Sequence, residues 1–144
     1  MEEEYKSLKV NKIQTKMEEL NMALNFMGAV FVRVTDLEQS LRFYSDILGL
    51  QLRNIEECGR IANYIINESS PLITLIKTEG YQAQDYPTFN LNYNNVLELH
   101  EKLIAQGVKV GPVKNWSSDR NVHIDFDVYD PDGNAINLIE WSAR

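Results

Sequence analysis

The sequence of 144 residues has only one cysteine, Cys58, so an internal disulfide is excluded. It has no run near the roughly 18 apolar residues that a membrane-spanning helix needs, and no secretory signal pattern at its start. These absences favour a protein that works in the reducing cytoplasm and away from membranes. Cys58 is interpreted as an inert, partly buried thiol, because no local motif marks it as a nucleophile.

Basic residues are also scarce. The chain has 14 Lys and Arg against 21 Asp and Glu, a formal net charge of -7, and the basic residues are scattered. A phosphate backbone is held by clustered Lys and Arg, so nucleic acid is excluded as a partner. Gly-rich phosphate loops, nucleophile elbows and CxxC pairs are absent as well. The charge balance favours a neutral or cationic small-molecule ligand.

What the sequence does contain is one globular domain with an unusual N-terminal segment. Hydrophobic residues make up 44% of the chain and charged residues 24%, which is typical of a protein that buries a core. Residues 1–26 are charged and contain no Gly or Pro. They are predicted to form a helical or disordered arm. The alternative is that this arm is a non-native extension, since Met17, Met22 and Met27 are each possible starts. Residues 27–144 form the domain.

The domain opens with a strand followed by a helix. Between residues 29 and 34, Val alternates with other residues at a period of two, which is typical of a strand with one buried face. Asp36 is placed as a helix N-cap with Gln39 three residues on, and Gly49 ends the helix. Two apolar stretches, residues 60–67 and 71–78, then read as a hairpin.

The same order returns in the second half. Residues 88–93 alternate as a strand, Asn95 takes the N-cap place, and a helix runs to Gly107. A second hairpin follows, around the Asp130-Pro-Asp-Gly-Asn turn. The chain therefore has an α+β fold of two tandem β-α-β-β-β modules, about residues 28–80 and 86–144. Each module has one sheet face that its single helix does not cover, so the two form a curled mixed sheet around a cleft.

Two motifs carry a family resemblance. Val32 to Leu50 reads VxVxDLxxSLxFYxxxLGL, and Asp130 to Leu138 reads DPDGNxIxL. Their placement at the two ends of a two-module chain resembles the vicinal oxygen chelate family. That family includes glyoxalase I, extradiol dioxygenases, fosfomycin-resistance enzymes and bleomycin-resistance binding proteins. The resemblance implies paired modules around a cleft, in a homodimer.

The resemblance also implies where a metal would be bound. Catalytic members of the family hold a divalent metal with a His, Gln or Glu on the first strand of each module and a Glu on each last strand. Carried over to this chain, the first-strand places are Ala29 and Thr88, and the last-strand places are Thr74 and Asn137. A methyl group, two hydroxyls and an amide do not replace imidazole and carboxylate ligands. No metal and no cofactor are therefore expected.

The remaining cleft residues follow from the alternation of strand faces. Side chains that alternate with the helix-facing ones face the cleft, and the loop residue Trp116 is a candidate lid. The predicted ligand-binding cleft comprises Phe31, Arg33, Thr74, Thr88, Asn90, Asn92, Trp116, His123, Asp125, Asp127 and Asn137.

Several alternatives remain open for this set. Arg33 could pair with Asp125 or Asp127, with the Asn side chains bonding one another, so that the cleft satisfies itself. His123, Asp125 and Asp127 could instead form an unorthodox metal site. Trp116 could also be a hydrophobic plug or part of a dimer contact. His100 is interpreted as a half-exposed surface residue of the second helix.

Three functions are compatible with this cleft. The first is a metal-free small-molecule-binding protein of the glyoxalase/bleomycin-resistance type that sequesters a toxic or antibiotic compound. The alternative is a glyoxalase-like lyase or isomerase, or a dioxygenase, that uses a non-standard metal or acid-base site. A third is a subunit whose cleft is filled by its own side chains and whose role is association.

Overall fold

The computed structural model describes residues 1–19 and 22–144. These residues contain three helices and eight strands, and the elements after the first helix follow the order that the two-module prediction requires. They are α1 (Glu2–Glu19), β1 (Ala29–Val34), α2 (Leu37–Arg42), β2 (Gln51–Ile55), β3 (Ile61–Ile65), β4 (Leu72–Lys77), β5 (Asn90–Asn92), α3 (Val96–Ala105), β6 (Lys114–Asn115), β7 (Asn121–Tyr129) and β8 (Ala135–Ala143). A π-helical turn, Phe43–Ile47, continues α2.

The strands form two four-stranded mixed sheets of the same topology. The first has the order β1-β4-β3-β2 and the second the order β5-β8-β7-β6. In each sheet the first strand of the module runs parallel to the last one, and the other pairs are antiparallel. The predicted α+β fold of two β-α-β-β-β modules is confirmed.

One face of each sheet packs on the helices and forms a common core. On β1, Val32 and Val34 are buried while Phe31 and Arg33 are exposed, and on β5 Leu91 is buried between exposed Asn90 and Asn92. Val32, Val34 and Leu91 belong to one hydrophobic cluster that spans both modules. The predicted register is therefore correct, and the opposite sheet faces are the ones left for a cleft.

The two module helices are capped in different ways. Asp36 caps α2 as predicted, because its Oδ1 accepts a hydrogen bond from the Gln39 N–H at 3.0 Å. Asn95 stands at the N-cap of α3, but its φ of 55° is left-handed and its side chain makes no capping bond. Glu140 on β8 supplies the cap instead, with Oε1 3.0 Å from the Val96 N–H. A cap from 44 positions away could not be read from local spacing.

The Asp130 turn joins the two modules. Asp130 is buried and its Oδ1 accepts hydrogen bonds from the backbone N–H groups of Asp132 and Asn134. Its Oδ2 accepts from the Tyr44 hydroxyl and from Asn134 Nδ2, both at 2.8 Å. Burial raises the pKa of Asp130, although the bonds from Asn134 and Tyr44 act in the opposite direction. Burial, followed by the nearby charge of Asp130, raises the pKa of Tyr44 as well.

Further polar contacts close the junction between modules. Asn134 Nδ2 also donates to the carbonyl of Arg33 at 2.9 Å, and the Tyr81 hydroxyl donates to Asn134 Oδ1 at 2.7 Å. The Tyr93 hydroxyl donates to the Leu48 carbonyl at 2.7 Å, and burial raises the pKa of Tyr93 to about 12. The modules are thus held together by a hydrogen-bonded seam as well as by the shared core.

The predicted arm is helical over Glu2–Glu19, whereas residues 22–26 are described and are not helical. The apolar side chains of Tyr5, Leu8 and Ile13 on α1 are exposed. Residues 20 and 21 of the predicted arm lie outside the described residues. Within the described ranges, no helix has the length and apolar character needed to cross a membrane. Cys58 is exposed, so the expectation of a partly buried thiol was wrong.

Candidate functional site

The uncovered face of the second sheet carries most of the predicted cleft residues in aligned rows. Asn90, Asn137 and Asp127 are paired across β5, β8 and β7. The next row pairs Asn92, Ile139 and Asp125, with Lys114 of the edge strand β6 beside Asp125. His123 then pairs with Trp141. The sheet therefore brings the predicted polar residues of this module onto one surface, named here the acidic face.

Asn137 connects the two carboxylates of the acidic face. Its Nδ2 lies 3.2 Å from Asp125 Oδ1 and 3.0 Å from Asp127 Oδ1, so one amide donates to both. An acid at this place would put a third carboxylate beside the other two, and like charges at this distance disfavour ionisation. The amide is therefore the side chain that this pair of acids requires.

His123 lies near one of these acids. Its Nε2 is 3.6 Å from Asp125 Oδ2, which is an ion pair only when the imidazole is protonated. In the part of the chain that the structure describes, no three His, Cys, Asp or Glu side chains come together as a possible metal site. The alternative of a metal bound by His123, Asp125 and Asp127 is thus not supported by the geometry.

The uncovered face of the first sheet carries a separate polar row. Phe31, Thr74, Asn63 and Asn54 are paired across β1, β4, β3 and β2. The Thr74 hydroxyl donates to Asn63 Oδ1 at 2.7 Å, and Asn63 Nδ2 donates to Glu56 Oε1 at 2.8 Å. Thr74 and Asn63 are buried. The hydroxyl at the family's metal place is therefore engaged within its own sheet.

Sequence reasoning missed Asn63, Asn54 and Glu56. The signal for Asn63 was present, since Ala62 and Tyr64 are the buried, helix-facing residues of β3 and Asn63 alternates with them. Asn54 could not be placed in the same way, because the pairing of β2 with β3 shifts register between Leu52 and Asn54.

The four family metal places do not fit a divalent metal. Ala29 and Thr74 line a cavity on the first sheet, Thr88 lines a second cavity, and Asn137 lines a third. Their polar groups are two hydroxyls and one amide, and those of Thr74 and Asn137 already have partners within their own sheets. Neither the donor chemistry nor the placement matches a metal centre of the family type.

Arg33 does not form the predicted internal ion pair. Its Nη1 donates to the Thr78 hydroxyl at 3.1 Å on the first module, so the pairing with Asp125 or Asp127 was wrong. Arg33 and Phe31 instead line a cavity of about 260 Å³ together with Thr88 and Tyr81. The predicted cleft set is therefore divided among several surfaces of the chain.

Two further predictions concern the second module's loops and helix. Trp116 follows β6, and its backbone N–H donates to the His123 carbonyl. Its side chain is 63% exposed, so it is not a buried plug. His100 is partly buried: its Nε2 lies 3.0 Å from the Gly111 carbonyl oxygen, and its ring packs edge-on against Phe126. His100 thus anchors α3 to the loop before β6, and its intermediate exposure is compatible with the half-exposed position expected from the sequence.

The sequence profile of the Glyoxalase/Bleomycin resistance protein/Dioxygenase superfamily matches residues 26–138. The chain belongs to this superfamily. A lactoylglutathione lyase of Salmonella typhimurium is 31% identical over 123 residues, which cover 76% of this chain and 87% of that protein. The resemblance to the vicinal oxygen chelate family is confirmed.

Solved structures of the superfamily share the fold. A superfamily member from Sphaerobacter thermophilus has a TM-score of 0.68 at 21% identity, covering 81% of this chain and 98% of that one. TnmS3, an antibiotic binding protein from Streptomyces, has a TM-score of 0.65 at 22% identity, covering 84% of this chain and 99% of that one. At these identities the likeness is one of fold.

Proposed function

We propose that this superfamily member is a metal-free small-molecule-binding protein that sequesters a cationic toxic or antibiotic compound. The observation that carries the proposal is the Asn137 amide, which occupies a metal place of the family and donates to both Asp125 and Asp127. The amide donates to one oxygen of each acid and carries no charge, so both carboxylates keep their negative charge for a ligand. The antibiotic-binding name of TnmS3 supports the proposal, because a protein of the same fold carries that role.

The charge of the acidic face sets the ligand class. Two carboxylates, Asp125 and Asp127, stand against one lysine, Lys114, which is exposed on the edge strand. The face is therefore net negative while His123 is neutral. The chain as a whole is also negative, at -7. A cation is attracted both by the acidic face and by the net negative charge of the chain, whereas an anion is repelled by both.

Isothermal titration with cationic glycopeptide antibiotics tests the binding. Asp127→Asn is the variant of choice, because Asp127 is more accessible than Asp125 and an amide preserves its shape. We expect a roughly 10-fold to 150-fold loss of affinity, the range for one charge-assisted hydrogen bond. Asp119→Asn is the matched control, since Asp119 is an exposed acid in the loop before β7 and should leave the affinity unchanged. Equal affinities for all three proteins would contradict the assignment of the acidic face.

Elemental mass spectrometry tests the metal-free part of the proposal. The protein is grown in metal-supplemented medium and purified without chelator or affinity tag. Because Ala29, Thr74, Thr88 and Asn137 offer no carboxylate or imidazole, we expect divalent metal well below one equivalent. Near-stoichiometric Ni, Zn, Fe or Mn would overturn the proposal in favour of an enzyme.

A second candidate function is a lyase or isomerase that works by acid-base chemistry. Its support is the 31% identity to the Salmonella lactoylglutathione lyase and the closeness of His123 to Asp125. It requires activity towards thiol adducts or epimerisable substrates that Asp127→Asn abolishes with the fold intact. A protein that is inert across those substrates would remove this candidate.

We also propose that the working form is a cytoplasmic homodimer. The uncovered face of the first sheet presents a large apolar side chain to solvent, with Phe31 67% exposed. The edge strand β2 is exposed at every residue. Covering such surfaces with a second copy removes apolar area from water. Light scattering after size exclusion should give twice the chain mass of 16.6 kDa, and a monomer at micromolar concentration would contradict the dimer.

A further inference from the structure

A cavity lined in part by Asn137 lies between the two sheets, and its lining is mostly apolar. It has a volume of about 570 Å³, within the range of ligand pockets. Val30 on β1 and Ile73 on β4 line it from the first module, and Phe89 and Leu91 line it from the second. Because β1 and β5 are edge strands of separate sheets, the gap between them is open to solvent at this end. We call this space the seam cavity.

The seam cavity adjoins the acidic face through one residue. Asn137 and Asn90, paired across β8 and β5, are its polar lining from the second sheet. The same Asn137 amide donates to Asp125 and Asp127, and Asp127 is the direct cross-strand neighbour of Asn137. The apolar cavity and the two carboxylates therefore adjoin the same side chain, that of Asn137.

This juxtaposition specifies two parts of a ligand. The carboxylates favour a positive group, which gains most where part of its hydration is replaced by fixed acceptors. The cavity favours an alkyl or aryl group, because Ile73 and Leu91 are buried apolar walls and none of the described lining residues is charged. Asn90, whose amide lines the same cavity, offers a hydrogen bond to a polar group between the two parts.

We propose that the ligand is an amphiphilic cation whose positive group binds at Asp125 and Asp127 and whose apolar group enters the seam cavity. This inference rests on the proposed function, which assigns the cation to the acidic face. It adds the apolar half of the ligand and the residues that select it.

A homologous series separates the two halves of the proposal. The probes are n-alkyltrimethylammonium ions from ethyl to octyl, titrated calorimetrically, with the n-alkyl alcohols and n-alkyl sulfates of the same lengths for comparison. While successive methylene groups enter the cavity, we expect the affinity of the cations to rise roughly threefold to fourfold per carbon. The rise should stop when the cavity is full, and alcohols and sulfates of equal length should bind at least tenfold more weakly.

Variants then locate each half. Val30→Phe narrows the cavity from β1, and we expect it to weaken octyl binding at least tenfold while ethyl binding stays the same. Ser70→Tyr, in the loop before β4 that also lines the cavity, narrows it from a second place on the first module and serves if Val30→Phe does not fold. Ile55→Phe is the matched control, because Ile55 is an exposed residue of β2 away from the cavity lining. Asp127→Asn should weaken all chain lengths by the same factor and leave the slope unchanged.

The outcomes distinguish the two proposals. A flat dependence on chain length, with Asp127→Asn still weakening the cations, would overturn the seam cavity and leave the proposed function standing. If neither Val30→Phe nor Ser70→Tyr weakens the binding of the long-chain cations, the apolar group binds elsewhere, and the seam cavity is also overturned as its site. Alkyl alcohols that bind as tightly as the alkyltrimethylammonium ions of the same length would overturn the requirement for a positive group. An increase of affinity with chain length that is seen only at dilutions where the protein is monomeric would mean that a second copy fills the cavity in the dimer. This result would overturn the seam cavity as a ligand site. Failure of every cation to bind would overturn the proposed function itself.

Discussion

Asn137 shows how one residue can decide the chemistry of a familiar fold. Its place on β8 is a metal-ligand place of the superfamily, yet its side chain acts as a donor to Asp125 and Asp127 rather than as an anion. A carboxylate cannot replace the Asn137 amide between these two acids without cost. The replacement would lose two hydrogen bonds and add a like charge. The identity of this residue therefore determines whether the acidic face is stable.

Asn137→Asp tests that statement. We expect the free energy of unfolding at pH 7 to fall by about 1 to 3 kcal/mol, since two hydrogen bonds are lost and three carboxylates are brought together. Urea denaturation at pH 7 measures the effect. Asn90→Asp is the matched control on the neighbouring strand, where Asn90 is exposed, and it should cost much less. Equal costs for the two variants would remove the special role of Asn137.

At the scale of the element, α3 depends on a residue that is remote in sequence. Val96, its first residue, is buried, and its N–H is satisfied by Glu140 of β8. Asn95 adopts a left-handed conformation and leaves that N–H to the strand. The cap therefore also ties the helix to the sheet that carries the acidic face.

Glu140→Ala should consequently behave as the loss of an N-cap. We expect a cost of about 1 kcal/mol in urea denaturation and faster amide hydrogen exchange in the first turn of α3. Glu98→Ala is the control, because Glu98 lies exposed in that turn, where an acid gains a few tenths of a kcal/mol from the helix dipole. An exchange pattern in α3 that matched the wild type would contradict the capping role of Glu140.

The elements also show what could be predicted from sequence. The strands and helices followed from periodicity and turn residues, because Val32, Val34 and Leu91 are buried on the faces that the alternation gives. The set of residues on the acidic face followed from the same alternation. Asn54, the Glu140 cap and the separation of Ala29 and Thr74 from Thr88 and Asn137 did not follow. These depend on a register shift and on contacts between distant segments, which local patterns do not encode.

At the scale of the whole molecule, Asp130 holds one module to the other. It is the buried acceptor for Tyr44 of the first module and for Asn134 of its own turn, and Asn134 in turn donates to the Arg33 carbonyl. Because Asn134 donates to the carbonyl of Arg33 on β1, the junction helps to position the strand from which Val30 lines the seam cavity. The protonation state of the buried Asp130 carboxyl is thus linked to the contacts that hold the two modules together.

The pH dependence of stability gives a direct measure of that link. The pKa of Asp130 is raised above its ordinary value of 3.8, chiefly by burial, so the folded chain keeps this proton in a pH interval where the unfolded chain has released it. The contribution of Asp130 to the free energy of unfolding must therefore decrease as pH rises from 3.8 through the folded-state pKa, and then stay constant. Asp130→Asn lacks the titration, so the difference between wild type and variant, measured by urea denaturation in half-unit steps from pH 3 to pH 7, isolates it. A difference that increases with pH across that interval would mean that the four hydrogen bonds to Asp130 outweigh its burial, and that the junction is strongest with the carboxylate charged.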